Sequence, residues 1–417
     1  MLSHTLVSCR VRRRWVARRL SVAAFAGAIG AIAGCRDAAT DITAPMQPQP
    51  NVSSNGIWMV NSLEDPGDGV CLNNQCTLRE AIASAQNGER ITFKGNLSGT
   101  IALTAGELLI DQSITVESPG PDKLTVSGQG LSRVLHIGSV NPAVSVVISG
   151  LTITGGYVEP GKGGGVFVRE GSRLTLIGSL VTGNSATEGA GIYSDGTLAV
   201  VGSTIAANSA SFGGGGITSD GELTVSRSTV SGNTAAISSA GGILVLCNNS
   251  CGAGAALRSS TITNNDAVSG GGGVYILGPT VLSNTIIAGN RSAGDPDASE
   301  ADCGDVGYLL SLGHNLSTLN TGCHLDNATD VDLGLSSQVF TFVLVPVLAN
   351  NGSPRMTHAL VERGLAVDAG YCPGEGGDQR GFPRPYDDLR MPNALDACDI
   401  GAFEWNPADT KTKGPKP

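Results

Sequence analysis

GGGVFV at residues 163–168 returns as GAGIYS from 189, GGGITS from 214, AGGILV from 240 and GGGVYI from 271, at spacings of 26, 25, 26 and 31 residues. A second string keeps step with it: LVTGN, TIAAN, TVSGN, TITNN and IIAGN end at Asn184, Asn208, Asn233, Asn265 and Asn290. Such a repeat over residues 163–290 marks a solenoid, in which each unit buries its apolar face only against its neighbours. Between the two strings lie RLTLIG, TLAVVG and ELTVSR, where apolar residues alternate with polar or small ones, as in strands with one buried face. Each unit holds about three short strands and has no room for a helix. The spacing predicts that Leu174, Leu198 and Leu223 stack inward in successive turns, as do Leu176, Val200 and Val225. The fold class that follows is all-β: a right-handed parallel β-helix of about 25 residues per coil, with turns about 4.8 Å apart. Glycine supplies positive φ and close approach at the corners, and the recurrent Asn suits a left-handed corner and an amide ladder along the axis.

The totals agree with a body made of turns and short aliphatic strands: 59 glycines and 4% aromatics in 417 residues. Little aromatic surface is left for stacking sugars or bases. The formal charge is −10, but six arginines and no acids precede residue 35, so the remainder carries 20 basic against 36 acidic residues, or −16. Nucleic acid is excluded as a partner, because phosphate binding needs a basic face.

Residues 1–34 read as an export signal, with Arg10, Arg12, Arg13, Arg14, Arg18 and Arg19 ahead of the apolar run LSVAAFAGAIGAIAG. IAGC, ending at Cys35, resembles a bacterial lipobox, which implies cleavage before Cys35 and its acylation; an ordinary secretory signal or an uncleaved anchor is the alternative. Residues 35–56 have the composition of a tether. The folded body is expected over residues 57–405, with an N-terminal cap at 57–93, regular coils at 163–290 and a distinct C-terminal segment at 340–405; residues 406–417 read as a disordered tail.

In the cap, TLRE is a capping box with Thr77 as N-cap and Glu80 reaching back, and Leu78 and Ile82 give the short helix an apolar face. A helix is expected there because the first turn of a β-helix has an open apolar end. CTLREAIASAQ, residues 76–86, resembles the CSLREA motif at the start of bacterial surface proteins with pectin-lyase-like β-helices. At the other end, PVLANNGSPRMTHALVERGLAVDAGYC, GDQRGFPRP and CDIGAFEW together resemble the choice-of-anchor Q domain. The two resemblances cover residues 58–405 and imply a surface β-helix whose anchoring device varies between members; here the anchor would be a lipid on Cys35.

With Cys9 in the leader and Cys35 acylated, eight cysteines remain as local pairs: Cys71 with Cys76, Cys247 with Cys251, Cys303 with Cys323, Cys372 with Cys398. An even count in an exported chain reads as disulfides, and sequential pairing suits a solenoid that holds distant turns apart.

Two sets of residues carry candidate chemistry. Glu170, Asp195 and Asp220 recur every 25 residues, each before a glycine. In register they form a carboxylate column fit to coordinate calcium or to serve as paired acids in glycoside hydrolysis, with Arg169, Arg173 and Arg227 near in sequence. The structural reading is turn chemistry, the aspartate bonding the corner backbone and glycine taking positive φ. Asp378, Arg380, Arg384, Asp399 and Glu404 form a charged cluster, read as an ion-pair network closing the last turn. The expectation is a monomeric, lipid-anchored protein of the outer membrane or cell surface, structural or adhesive, with a glycan or cell-envelope ligand and without a catalytic centre, metal or cofactor. A lyase or hydrolase of acidic polysaccharide, using the acidic column with or without calcium, is the alternative.

Overall fold

The computed structural model describes residues 56–72, 74–138, 143–246, 254–304, 309–318 and 322–407. The leader with Cys35, the tether to residue 55, the Cys247 and Cys251 pair and the tail from residue 408 lie outside the described residues.

The alternating strings form parallel strands in the expected register. Arg173–Ile177 pairs with Thr197–Val201, placing Leu174 on Leu198 and Leu176 on Val200, and Leu223–Ser226 continues the columns with Leu223 and Val225. All six side chains are buried, each worth about 1.5–3 kcal/mol relative to exposure. Three sheets run along the solenoid. The first has ten strands, from Ile57–Val60 to Leu309–Ser311; the second has eight, from Leu108–Ile110 to Cys303–Gly304; the third has ten, from Gly99–Ala102 to Val331–Asp332. The body is thus a parallel β-helix of about 26 residues per turn with very little helix. A fourth, narrow ladder of six strands runs from Tyr157–Lys162 to Arg291–Ser292 and was not expected. Runs such as Ser209–Ala210 are too short to show an alternating pattern.

The recurrent asparagines stack as an amide ladder inside the body. Asn184 Nδ2 donates to Asn208 Oδ1, Asn208 to Asn233, Asn233 to Asn265 and Asn265 to Asn290, each at 2.9 Å. The ladder continues one rung further, Asn290 Nδ2 donating to Asp302 Oδ1 at 2.9 Å. The left-handed conformation falls one residue earlier than expected, on Gly183, Ala207, Gly232, Asn264 and Gly289. Asparagine occupies its place for the carboxamide, which donates and accepts at once; the corner itself is made by the residue before it.

Both ends of the apolar column are sealed. At the first turn, the helix Leu78–Ser84 has the expected capping box: Glu80 N donates to Thr77 Oγ1, and Thr77 N to Glu80 Oε2 at 2.8 Å. Leu78, Ala81 and Ile82 are buried against the core, and Cys71 and Cys76 are joined beside them. Arg79 ties the helix to the first turn by donating to Asp65 at 2.6 Å and to Gly106 O at 2.7 Å. At the far end, Cys303 and Cys323 are joined, fully buried, and packed with Leu325 against the same core. With Cys372–Cys398, three disulfides are present among the described residues, the mark of a chain that matures outside the cytoplasm.

The C-terminal segment folds back along the third sheet. Outward positions of that sheet carry Thr204, Thr229, Thr261 and Ile286, all buried. They are covered by residues 343–405, and a second apolar core forms outside the solenoid from Ile286, Leu316, Val343, Leu344, Leu360, Ile400, Phe403 and Trp405.

Candidate functional site

The acidic positions lie at the corner between the second and first sheets. Val168 pairs with Ser194 and Ser194 with Ser219, so Asp195 and Asp220 share a register position while Glu170 lies one residue beyond it. The equal sequence spacing hides this offset, because the coil from Val168 to Ser194 takes 26 residues rather than 25. Turn chemistry is also assigned differently. Ser194 Oγ donates to Gly196 O at 3.1 Å and Ser219 Oγ to Gly221 O at 3.0 Å, so the preceding serine bridges the corner. Neither Gly196 nor Gly221 has positive φ; a Cβ on Gly196 would lie 2.2 Å from Ser172 O, and one on Gly221 2.0 Å from Gly196 O. Glycine is needed there for close stacking of the turns.

Asp195 interacts with the hydroxyl of Tyr193, to which Lys162 Nζ donates at 2.5 Å. Lys162 also lies 4.1 Å from the Tyr193 ring centroid and 4.0 Å from Glu188. Burial pushes the Asp195 carboxyl above its ordinary value; Lys162 opposes this, Asp220 adds to it, the Tyr193 bond opposes it and Glu170 adds to it. The Tyr193 hydroxyl is likewise held protonated, first by burial and then by the acids around it. The same outward line continues into Phe167, stacked 6.0 Å from Tyr193, and His136, edge-on 5.1 Å from Phe167. Arg133 lies over Phe167 and donates to Glu107, which also meets His136 Nδ1 at 3.0 Å. The His136 bond, ahead of burial, which opposes it, keeps Glu107 below its usual range. A flank thus gathers stacked rings, two cations and several carboxylates. The sequence signal for it is the middle residue of LHI, VFV and IYS, one per turn.

Of the three arginines near the acidic positions, Arg169 follows Val168 and so stands at the register position of Asp195, while the other two have partners elsewhere. Arg173 lies 4.0 Å from Glu222 across exposed surface, and Arg227 Nη1 donates to Gly377 O at 3.3 Å.

The C-terminal charged residues do form a network, but it holds the folded-back segment rather than closing the last turn. Asp378 and Arg380 pair at 2.7 Å with neither side chain exposed, and Arg384 pairs with Glu404 at 2.9 Å. Asp378 also accepts from the amides of Arg380, Phe382 and Glu404. Asp399 accepts from Asp368 N at 2.8 Å and from Trp405 N; burial, then the neighbouring Glu404, raises it well above the ordinary range. Burial pushes Glu404 up to about 7.

Gln379, within the DQRG string, and His358 were missed. Gln379 Nε2 donates to Thr204 Oγ1 at 2.8 Å, and Thr229 Oγ1 donates to Gln379 Oε1 at 2.5 Å, so one side chain spans two turns. His358 Nδ1 lies 2.9 Å from Val345 O, and its Nε2 lies 2.8 Å from Ser231 Oγ. Among the described residues, the one group of His, Cys, Asp and Glu donor atoms within 4.8 Å of one another is Cys372, Asp396 and Cys398, whose two sulfurs are bonded together. No protein-family model matches this chain, and a comparison with curated proteins finds no match.

Proposed function

We propose that the protein is an exported β-helix, tethered to the cell envelope through a lipid on Cys35, that displays its flanks to a glycan or envelope ligand as a structural or adhesive element. The observation that carries this reading is the use made of its most perturbed carboxylates. Asp302, Asp368, Asp399 and Glu404, all raised by burial, each accept backbone amides in a joint between segments. Shifted acids mark active sites when they face a cleft; these four are tied to backbone amides that hold the fold together, Glu404 among them although it also lines a small cleft with Arg380 and Tyr386. Membership of the choice-of-anchor Q group belongs to the same proposal, supported by the resemblance of residues 76–86 and of the C-terminal strings, which form the cap helix and the ion-paired segment.

A polysaccharide lyase or hydrolase is the second reading, favoured by Asp195, a half-buried acid with a raised pKa beside Lys162 and Tyr193. The two separate in one experiment, incubation of the purified protein with polygalacturonate, alginate and neutral glucans. The proposal expects retention without new reducing ends or unsaturated products; turnover that disappears in Asp195→Ala replaces it with the second reading. For the anchor, Cys35→Ser is expected to release the protein from the membrane fraction, and unchanged fractionation removes the lipid from the proposal.

A further inference from the structure

Arg227 and Arg355 come together at the corner between the first and third sheets. Ile177, Val201 and Ser226 are in register, so Gly178, Gly202 and Arg227 follow one another in successive turns, all in the left-handed conformation. The folded-back segment lays Arg355 over that corner: a Cβ on Gly178 would have Arg355 Nε, Nη2 and Cζ as its nearest atoms, at 2.9, 3.0 and 3.2 Å. The two side chains donate to one short stretch, Arg227 Nη1 to Gly377 O at 3.3 Å and Arg355 Nη1 to Gln379 O at 2.9 Å. Two residues of chain span at most about 7 Å, so the guanidiniums are neighbours.

Neither has an acid to balance it. Among the described residues each of the two side chains makes that one hydrogen bond and no ion pair. Arg380 and Arg384 of the same segment, by contrast, are paired with Asp378 and Glu404. A guanidinium has five N–H donors, and both residues are half-buried with none of their unengaged nitrogens sealed from solvent. Burial lowers the Arg355 pKa and Arg227 lowers it further, with Asp378 opposing. In a chain of net charge −10, two cations left side by side favour an anion between them.

We propose that Arg227 and Arg355 hold the phosphate monoester of a phosphorylated sugar in the cell envelope. The assignment rests on the glycan-binding reading above and gives it a place. Charge selects the group: two guanidiniums carry two positive charges, and a phosphate monoester carries about −1.5 to −2 at neutral pH, where a carboxylate or a sulfate ester carries a single charge. The planar fork of arginine matches phosphate oxygens. Ile177, beside Gly178 and 36% exposed, offers the sugar ring an apolar contact. One phosphate needs only this pair, unlike the row of phosphates on a nucleic acid.

The test is calorimetric titration of the exported protein with glucose 6-phosphate, glucose 6-sulfate, inorganic phosphate and vesicles containing phosphatidic acid. The expected result is saturable binding of glucose 6-phosphate, several-fold tighter than that of the sulfate or of inorganic phosphate. Its Kd is expected to rise at least tenfold in Arg227→Gln/Arg355→Gln and to stay unchanged in Arg291→Gln, which removes an exposed charge elsewhere. Arg355→Lys keeps the charge without the fork and should retain part of the affinity. If the double variant does not fold, Arg227→Gln alone carries the test, with a several-fold loss expected. Binding unchanged in the variants at 227 and 355, or weakened as much in Arg291→Gln, overturns the site. Inorganic phosphate bound as tightly as the sugar phosphate overturns the sugar, and binding of the vesicles alone overturns the glycan source. If the assignment falls while the polysaccharide incubation above shows retention, the glycan reading stands; if neither sugar phosphate nor polysaccharide is retained, both fall.

Discussion

Asn290 donates its side-chain amide to Asp302 at 2.9 Å, so a ladder of carboxamides ends on a carboxylate. The amide dipoles all point the same way, each N–H toward the next oxygen, and the last N–H meets a group able to carry negative charge. Asp302 is chemically different from the rungs before it. Its Oδ1 accepts from the Asn290 backbone and side chain, and its Oδ2 accepts from Thr318 N at 2.8 Å and from the Thr318 hydroxyl. Asparagine in its place would set an NH₂ against the Thr318 amide.

Burial pushes Asp302 up to about 6, against the four hydrogen bonds that favour its charged form. The folded protein therefore holds this proton more tightly than the unfolded chain, and its contribution to stability is lost as pH rises from about 4 to about 6, on the order of 3 kcal/mol. Asp302→Asn removes that dependence while leaving Thr318 N–H unpaired, at about 1–3 kcal/mol. Urea denaturation at pH 4 and pH 7.5 is expected to show wild type more stable relative to the variant at pH 4. An equal difference at the two pH values would contradict the argument.

His358 gives the opposite sign. Burial lowers its pKa below the ordinary 6.5, with the bond to Val345 opposing. A histidine held neutral in the fold contributes stability that is complete above 6.5 and is lost as pH falls through the folded value. The part of the molecule concerned is the seam where Ser231 meets the folded-back segment. Hydrogen-exchange protection over residues 343–361, taken relative to the intrinsic exchange rate at each pH, is expected to fall between pH 7.5 and pH 5 in the wild type and to change little in His358→Gln. Identical pH responses in the two proteins would assign the seam's stability elsewhere.

Gln379 tests whether that seam depends on side chains or on apolar contact alone. Its carboxamide is buried and bonded to Thr204 and Thr229. Gln379→Ala leaves both hydroxyls without it and is expected to destabilise by about 1–3 kcal/mol. The double variant with Thr229→Val, which removes one stranded hydroxyl, should recover part of the loss. Thermal melts of the three proteins decide, and equal melting temperatures for wild type and Gln379→Ala would refute the role given to it.

What was legible in the sequence follows the range of the contacts. Leu174, Leu198 and Leu223 could be stacked from the chain alone because each turn repeats the pattern of the one before, and Thr77 with Glu80 could be capped because the motif is local. The offset of Glu170 could not be seen: register is set by pairing at Val168 and Ser194, and sequence spacing counts residues without showing how a corner uses them. The folded-back segment was hidden more deeply, since Thr229 and Gln379 are separated by 150 residues. A trace of it was present. Thr204, Thr229, Thr261 and Ile286 offer the third sheet no charged outer face, unlike Arg173, Glu222 and Arg258 on or beside the first.

Calcium at the acidic corner is the measurement that most sharply divides the binding and enzymatic readings. Two carboxylates one strand apart repel, and Asp195 responds with a raised pKa, attributed first to burial and later to Asp220 and Glu170. A bound cation would relieve this, and at a hundred times its dissociation constant would add about 2.7 kcal/mol to stability. The geometry favours another resolution: Glu170 is out of register with the two aspartates, and Asp195 is already engaged with Tyr193 beside Lys162. Millimolar calcium is therefore expected to leave the melting temperature unchanged. Asp195→Asn at pH 7 is expected to melt at the same temperature or higher, because it removes a charge that burial disfavours. A calcium-dependent rise that vanishes in Asp195→Asn would show that the corner holds the ion despite the offset, and the lyase reading would then take precedence over the adhesive one.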